Sequence, residues 1–105
     1  MNHPQWLPHD DHSASLSGEL TRDHIPALWQ QFQGWQPPNS SFQVCLKSVK
    51  RVDSAGMVML IHLIEHAKRQ NCHIMLTFMP EQLKTLFELS NIDDLFSQNI
   101  DSRLI

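Results

Sequence analysis

Lys50 to Gln70, KRVDSAGMVMLIHLIEHAKRQ, carries an apolar helical stripe too wide for a helix that stands alone in water. Met57, Leu60, Ile61, Ile64 and Ala67 recur at i, i+3, i+4, i+7 and i+10, one face of a 3.6-residue period. Val58, Met59 and Leu63 widen that face. Such a helix has to be covered on more than one side, by its own domain or by a partner. Either Asp53 or Ser54 can cap its first turn, since a side-chain oxygen there accepts orphan backbone N–H bonds. Gly56 costs helix propensity, but without a Cβ it lets another surface come close to the backbone. A serine at a helix start beside a glycine also suits a phosphate or an acidic group.

The chain around this helix has 105 residues, enough for one domain with a modest core. Apolar residues make up 41%, which excludes a disordered polar tail, and the net charge of -3 argues against a general nucleic-acid binder. No apolar run is long enough to span a bilayer, and MNHPQWLPHDDHS lacks the basic-then-apolar pattern of a signal peptide. A cytoplasmic location is expected. Cys45 and Cys72 fall in or beside strand-like segments and read as reduced thiols with a packing role.

In chain order, residues 1–12 form a segment set apart by its prolines and histidines, with Trp6 and Leu7 as a possible edge strand and His9-Asp10-Asp11-His12 as a turn. Ser13–Leu20 reads as a strand in which Ala14, Leu16 and Gly18 share a face. Asp23 is the expected cap of a first helix, because it puts Pro26 in the first turn. Ile25, Leu28, Trp29, Phe32 and Trp35 then form its stripe, and Trp29 reads equally as core or as a partner-facing anchor. Phe42–Val49 alternates as a strand, Lys50 and Arg51 form a turn, and the near-continuous apolar run His73–Met79 reads as a central strand covered by helices. Glu81–Ser90 reads as a third helix ended by Asn91, and Ile92, Leu95 and Phe96 as a short final turn or helix before a loose tail over 101–105. The order β-β-α-β-α-β-α predicts a small α/β layer: a mostly parallel four-stranded sheet, helices mainly on one face, and the N-terminal strand pairing antiparallel. Residues 13–100 are expected to form the single domain.

No catalytic pattern is present: no glycine-rich phosphate loop, GxSxG or HExxH. His62 and His66 lie at i and i+4 and read as a polar helix face rather than metal ligands. Lys47, Lys50 and Arg51 form a basic cluster too small for a nucleic-acid footprint, but able to offset an acidic partner or a phosphorylated Ser54.

VDSAGMVMLIHLIEHAKRQ, with LSGEL at residues 16–20, Trp29, and PEQLKTLFELSNIDDLF near the end, resembles the STAS domain family. The family's Asp-Ser/Thr pair matches Asp53 and Ser54, and its glycine two positions on matches Gly56. Within the family the chain looks like the small cytoplasmic subunits of phospholipid-transporting ABC systems, which maintain outer-membrane lipid asymmetry. The resemblance implies a non-enzymatic accessory subunit without cofactor or metal. It would bind the transporter's ATPase subunit, and through it the permease, at the inner membrane without inserting in it. The alternative is an anti-sigma factor antagonist switched by phosphorylation of Ser54 by an anti-sigma kinase. Either way the expected binding or switch residues are Asp53, Ser54, Ala55, Gly56, Met57 and Trp29, with the exposed side of the 57–70 helix and the start of the 81–90 helix as the other candidate parts of the footprint. Ala55 and Cys45 depart from the antagonist pattern, in which a second hydroxyl residue and an aspartate are common.

Overall fold

A computed structural model describes residues 5–92 and 95–100. His3, Asp93, Asp94 and the tail expected over 101–105 lie outside the described residues. The elements run β1 (Trp6–Pro8), β2 (Ser13–Leu20), α1 (Ile25–Gln33), β3 (Ser41–Val52), α2 (Ser54–Arg69), β4 (His73–Thr77) and α3 (Glu81–Leu89), followed by a 3-10 turn over Ser97–Asn99. The sheet order is β1-β2-β3-β4, with β1 antiparallel to β2 and the other pairs parallel, so β4 ends the order instead of lying at its centre, and its apolar run is buried by the core that Ile74 and Leu76 join. This is the small α/β layer that strand–helix alternation predicts.

Period-two alternation decides which face is covered. Ala14, Leu16 and Leu20 of β2, Phe42, Val44 and Leu46 of β3, and Ile74 and Leu76 of β4 are buried in one core beneath the helices. Trp6 joins them, edge-on to Phe32 and stacked near Phe42, so β1 contributes to the core although it is three residues long. The opposite face presents Gln43, Lys47 and the half-buried Cys45. The apolar period of β2 passes from Leu16 to Leu20 rather than to Gly18. That glycine takes φ 75° next to a break in register, a conformation costly for other residues.

Four boundaries differ from the sequence reading. Asp23 does not cap α1: His24 holds the cap position without a side-chain bond, and the Thr21 carbonyl accepts from the His24 and Ile25 N–H groups instead. Pro26 still falls in the first turn. Lys50 and Arg51 are strand, not turn, because Gly18–Leu20 of β2 continue the ladder out to Val52. β4 stops at Thr77, two residues early, because Phe78 turns into the left-handed region at φ 54°. The expected final turn is a 3-10 turn at Ser97–Asn99, with Ile92 and Phe96 packed on the core. Asn71 and Asn91 follow α2 and α3 at φ 60° and 57°, the role expected of Asn91.

Candidate functional site

The C-terminal ends of the parallel strands β2 and β3 and the start of α2 meet at one end of the sheet, and Asp53 joins them. Its backbone is extended while its carbonyl already accepts from the Met57 N–H, the cap conformation. Oδ1 accepts from the Gly56 N–H at 3.1 Å and Oδ2 from the Arg22 N–H at 2.9 Å. The Asp53 N–H donates to the Leu20 carbonyl at 3.2 Å. One side chain therefore caps α2 and ties it to the turn leaving β2. Partial burial pushes this carboxyl up. The backbone N–H groups of Arg22, Gly56 and Ala55 and the Arg22 charge outweigh that and hold it below the usual carboxylate range.

A carboxylate depressed in the folded state stabilises the fold above the ordinary carboxylate range, and that contribution is lost as pH falls through the folded value. Asp53→Ala is expected to cost about 1–2 kcal/mol at about pH 7, the upper part of the cap range, because two N–H groups lose their acceptor. Urea denaturation should show the gap between wild type and variant shrinking as the pH falls through and below the ordinary carboxylate range. A constant gap would mean that Asp53 acts only by packing.

Gly56 is buried, and what approaches it is the chain itself. A Cβ there would overlap the Leu20 carbonyl oxygen and stand 3.0 Å from the Leu20 carbonyl carbon and Cβ. The close approach expected at this glycine is thus internal rather than a partner's. Met57 is also buried, 7% exposed, and its Sδ accepts from the Ser90 hydroxyl at 3.8 Å. Gly56 and Met57 hold the site up from behind.

Ser54 is the first residue of α2 and faces solvent, with Ala55 half-buried beside it. It lines a shallow groove of about 360 Å³ with Arg51, Val52, Asp53, Gln82, Thr85 and Leu86. Gln82 is fixed in its wall, its Oε1 accepting from the Val52 N–H at 2.8 Å. From Ser54 the exposed strip of α2 continues through Val58, half-buried Ile61, His62 and Glu65. Val58 is 44% exposed, and so lies outside the core stripe in which the sequence places it. Trp29 packs against His62 and His66 at 5.8 and 6.5 Å between ring centroids. His62 is eight residues after Ser54, so Trp29 flanks the same strip about 12 Å along the helix axis. His66 is taken up by the Trp35 carbonyl at 2.9 Å, and no cluster of three metal-ligating side chains exists among the described residues. Sequence reasoning places the start of the third helix beside this surface but does not single out Gln82, Thr85 or Leu86. They are ordinary residues of a helix surface, and only the packing of α3 on α2 brings them beside Ser54.

The STAS domain family model described as "Mlab, STAS domain" matches residues 8–98. The chain is 32% identical over 87 residues to the intermembrane phospholipid transport system binding protein MlaB of Escherichia coli, covering 83% of this chain and 87% of that one. It is 23% identical to the anti-sigma-B factor antagonist of Bacillus subtilis, covering 82% of this chain and 79% of that one. Its fold matches the crystal structure of an anti-sigma factor antagonist from Mycobacterium paratuberculosis with a TM-score of 0.68 at 19% identity, covering 97% of this chain and 91% of that one.

Proposed function

The chain belongs to the MlaB-type STAS domain family, and from that premise we propose that it is a non-enzymatic accessory subunit of a phospholipid-transporting ABC complex, docking on the ATPase subunit. One observation carries the reading. The α2 strip keeps Val58 exposed and Ile61 half-buried at the edge of the core, with Ser54 at its head and Trp29 on its flank. Exposed apolar groups beside an amphipathic aromatic are what a partner interface uses. Through that partner the protein would sit at the inner membrane. Among the described residues no helix is long and apolar enough to cross it.

A second reading, a phosphorylation-switched antagonist of an anti-sigma kinase, draws on the solvent-facing Ser54 hydroxyl and the Bacillus relative. Both readings use the same surface. They separate on the partner: the transporter ATPase for the first, a kinase that modifies Ser54 for the second.

The test is a titration of the chain against the transporter ATPase. Ser54→Ala removes one hydrogen bond and is expected to weaken binding by about 0.5–1.5 kcal/mol. Ser54→Glu places charge and bulk in a fitted surface and is expected to weaken it more, with circular dichroism unchanged. No binding by the wild-type chain, or wild-type binding by Ser54→Glu, would overturn the docking reading.

A further inference from the structure

Strand β3 is longer than its neighbour. Its twelve residues pair with β2 along most of their length, but β4 pairs only with Ser41–Cys45, the last partners being Cys45 and Thr77. From Leu46 to Arg51 the β4 side of β3 therefore has no strand beside it among the described residues. Val52, the next residue, is paired with Leu20 of β2 and gives its N–H to the side chain of Gln82. An uncovered strand edge is a template for another chain, and proteins ordinarily shield it.

Two further features mark this overhang. Phe78, where β4 would have continued, instead takes φ 54° and is 39% exposed. A bulky residue in that region is strained, and strain of this kind persists where the surrounding structure enforces it, often at binding sites. Lys47 stands 5.4 Å from the Phe78 ring centroid. Lys47, Lys50 and Arg51 are all exposed on the overhang, in a chain whose net charge is -3. The overhang ends at Asp53 and Ser54, so it is continuous with the docking strip on α2.

We propose that the uncovered edge of β3 at Leu46–Arg51 receives a short extended acidic segment of the partner protein, which adds to the sheet beyond Thr77. The proposal rests on the docking reading above and extends it from a helix face to a strand edge. Backbone pairing would supply the affinity, and carboxylates meeting Lys47, Lys50 and Arg51 the preference for an acidic sequence. Two breaks in the register with β2, between Ser15 and Ser17 and between Gly18 and Glu19, twist the overhang and limit the added strand to a few residues.

The experiment is amide hydrogen exchange of the full chain, alone and with the transporter ATPase, alongside titration of Lys47→Glu/Lys50→Glu. Both lysines lie on the surface, so the variant should melt like wild type. Expected are protection of amides within Leu46–Arg51 in the complex and a roughly tenfold weaker affinity for the variant, with a flatter salt dependence. Protection confined to α2, with unchanged affinity of the double variant, overturns the strand-edge proposal and leaves the docking reading standing. Absence of any complex overturns both. Protection of the overhang by anionic phospholipid vesicles, but not by the ATPase, assigns the patch to a membrane surface and overturns the proposal as well.

Discussion

Gly56→Ala should lose about 3 kcal/mol or more of folding stability, although alanine is the better helix former. In an exposed helix the change would gain roughly 1 kcal/mol. Here the added methyl meets the Leu20 backbone, which cannot rotate away as a side chain would. Leu20 is fully buried, and its carbonyl also accepts the Asp53 N–H, so the strand cannot shift without breaking the cap of α2. Relief must come from moving α2 off β2, which opens the core at Leu60 and Leu63. The measurement is chemical denaturation of Gly56→Ala and Gly34→Ala side by side. Gly34 ends α1 with open space where a Cβ would go, so its variant should stay within about 0.5 kcal/mol of wild type. Equal stability of the two variants would show that α2 does not press on Leu20.

This glycine also marks what a sequence can and cannot disclose. A glycine in the first turn of an apolar helix announces a close approach, and the close approach is there. It does not announce the surface that makes it, because Leu20 lies 36 positions earlier in the chain. A cap at Asp53 or Ser54 was legible because a cap is local, three residues from donor to acceptor, and the structure gives it to Asp53. Its second bond, to the Arg22 N–H, was not, since nothing near Asp53 refers to the end of β2. The mostly parallel pairing followed from alternation of elements, whereas the strand order, which depends on contacts between distant segments, did not.

The errors have the same cause. Lys50 and Arg51 look like a turn because they are charged, and they are strand because β2 supplies partners on one side while the other stays in water. Phe78 looks like a sixth strand residue because it is apolar, and the chain turns there against that preference. Local pattern thus predicted length wrongly at both ends of the region where β3 outruns β4. That mismatch creates the uncovered edge, and no single segment contains it.

Leu60→Ala and Leu63→Ala should each cost about 2–5 kcal/mol, because both side chains are fully buried under the sheet and leave cavities when shortened. For a domain with about 5–15 kcal/mol in total, either change could leave a substantial fraction unfolded at physiological temperature. Ile64→Ala, 4% exposed, belongs with them. The sequence stripe puts Ile61 in the same class, but in the fold it is half-buried at the edge of the core, so Ile61→Ala should cost less, about 1–2 kcal/mol. Val58→Ala should fall within about 0.5 kcal/mol of wild type. Urea denaturation of the series gives the ranking, provided the slope with denaturant stays constant. Binding should rank the other way. Exposed Val58 and half-buried Ile61 form the apolar part of the outer strip of α2, so shortening them should weaken docking while the fold survives, whereas whatever fraction of the Leu60 and Leu63 variants remains folded should bind normally. If Ile61→Ala destabilises as much as Leu60→Ala and leaves binding untouched, α2 has a single buried face, and its outer strip is not a partner surface.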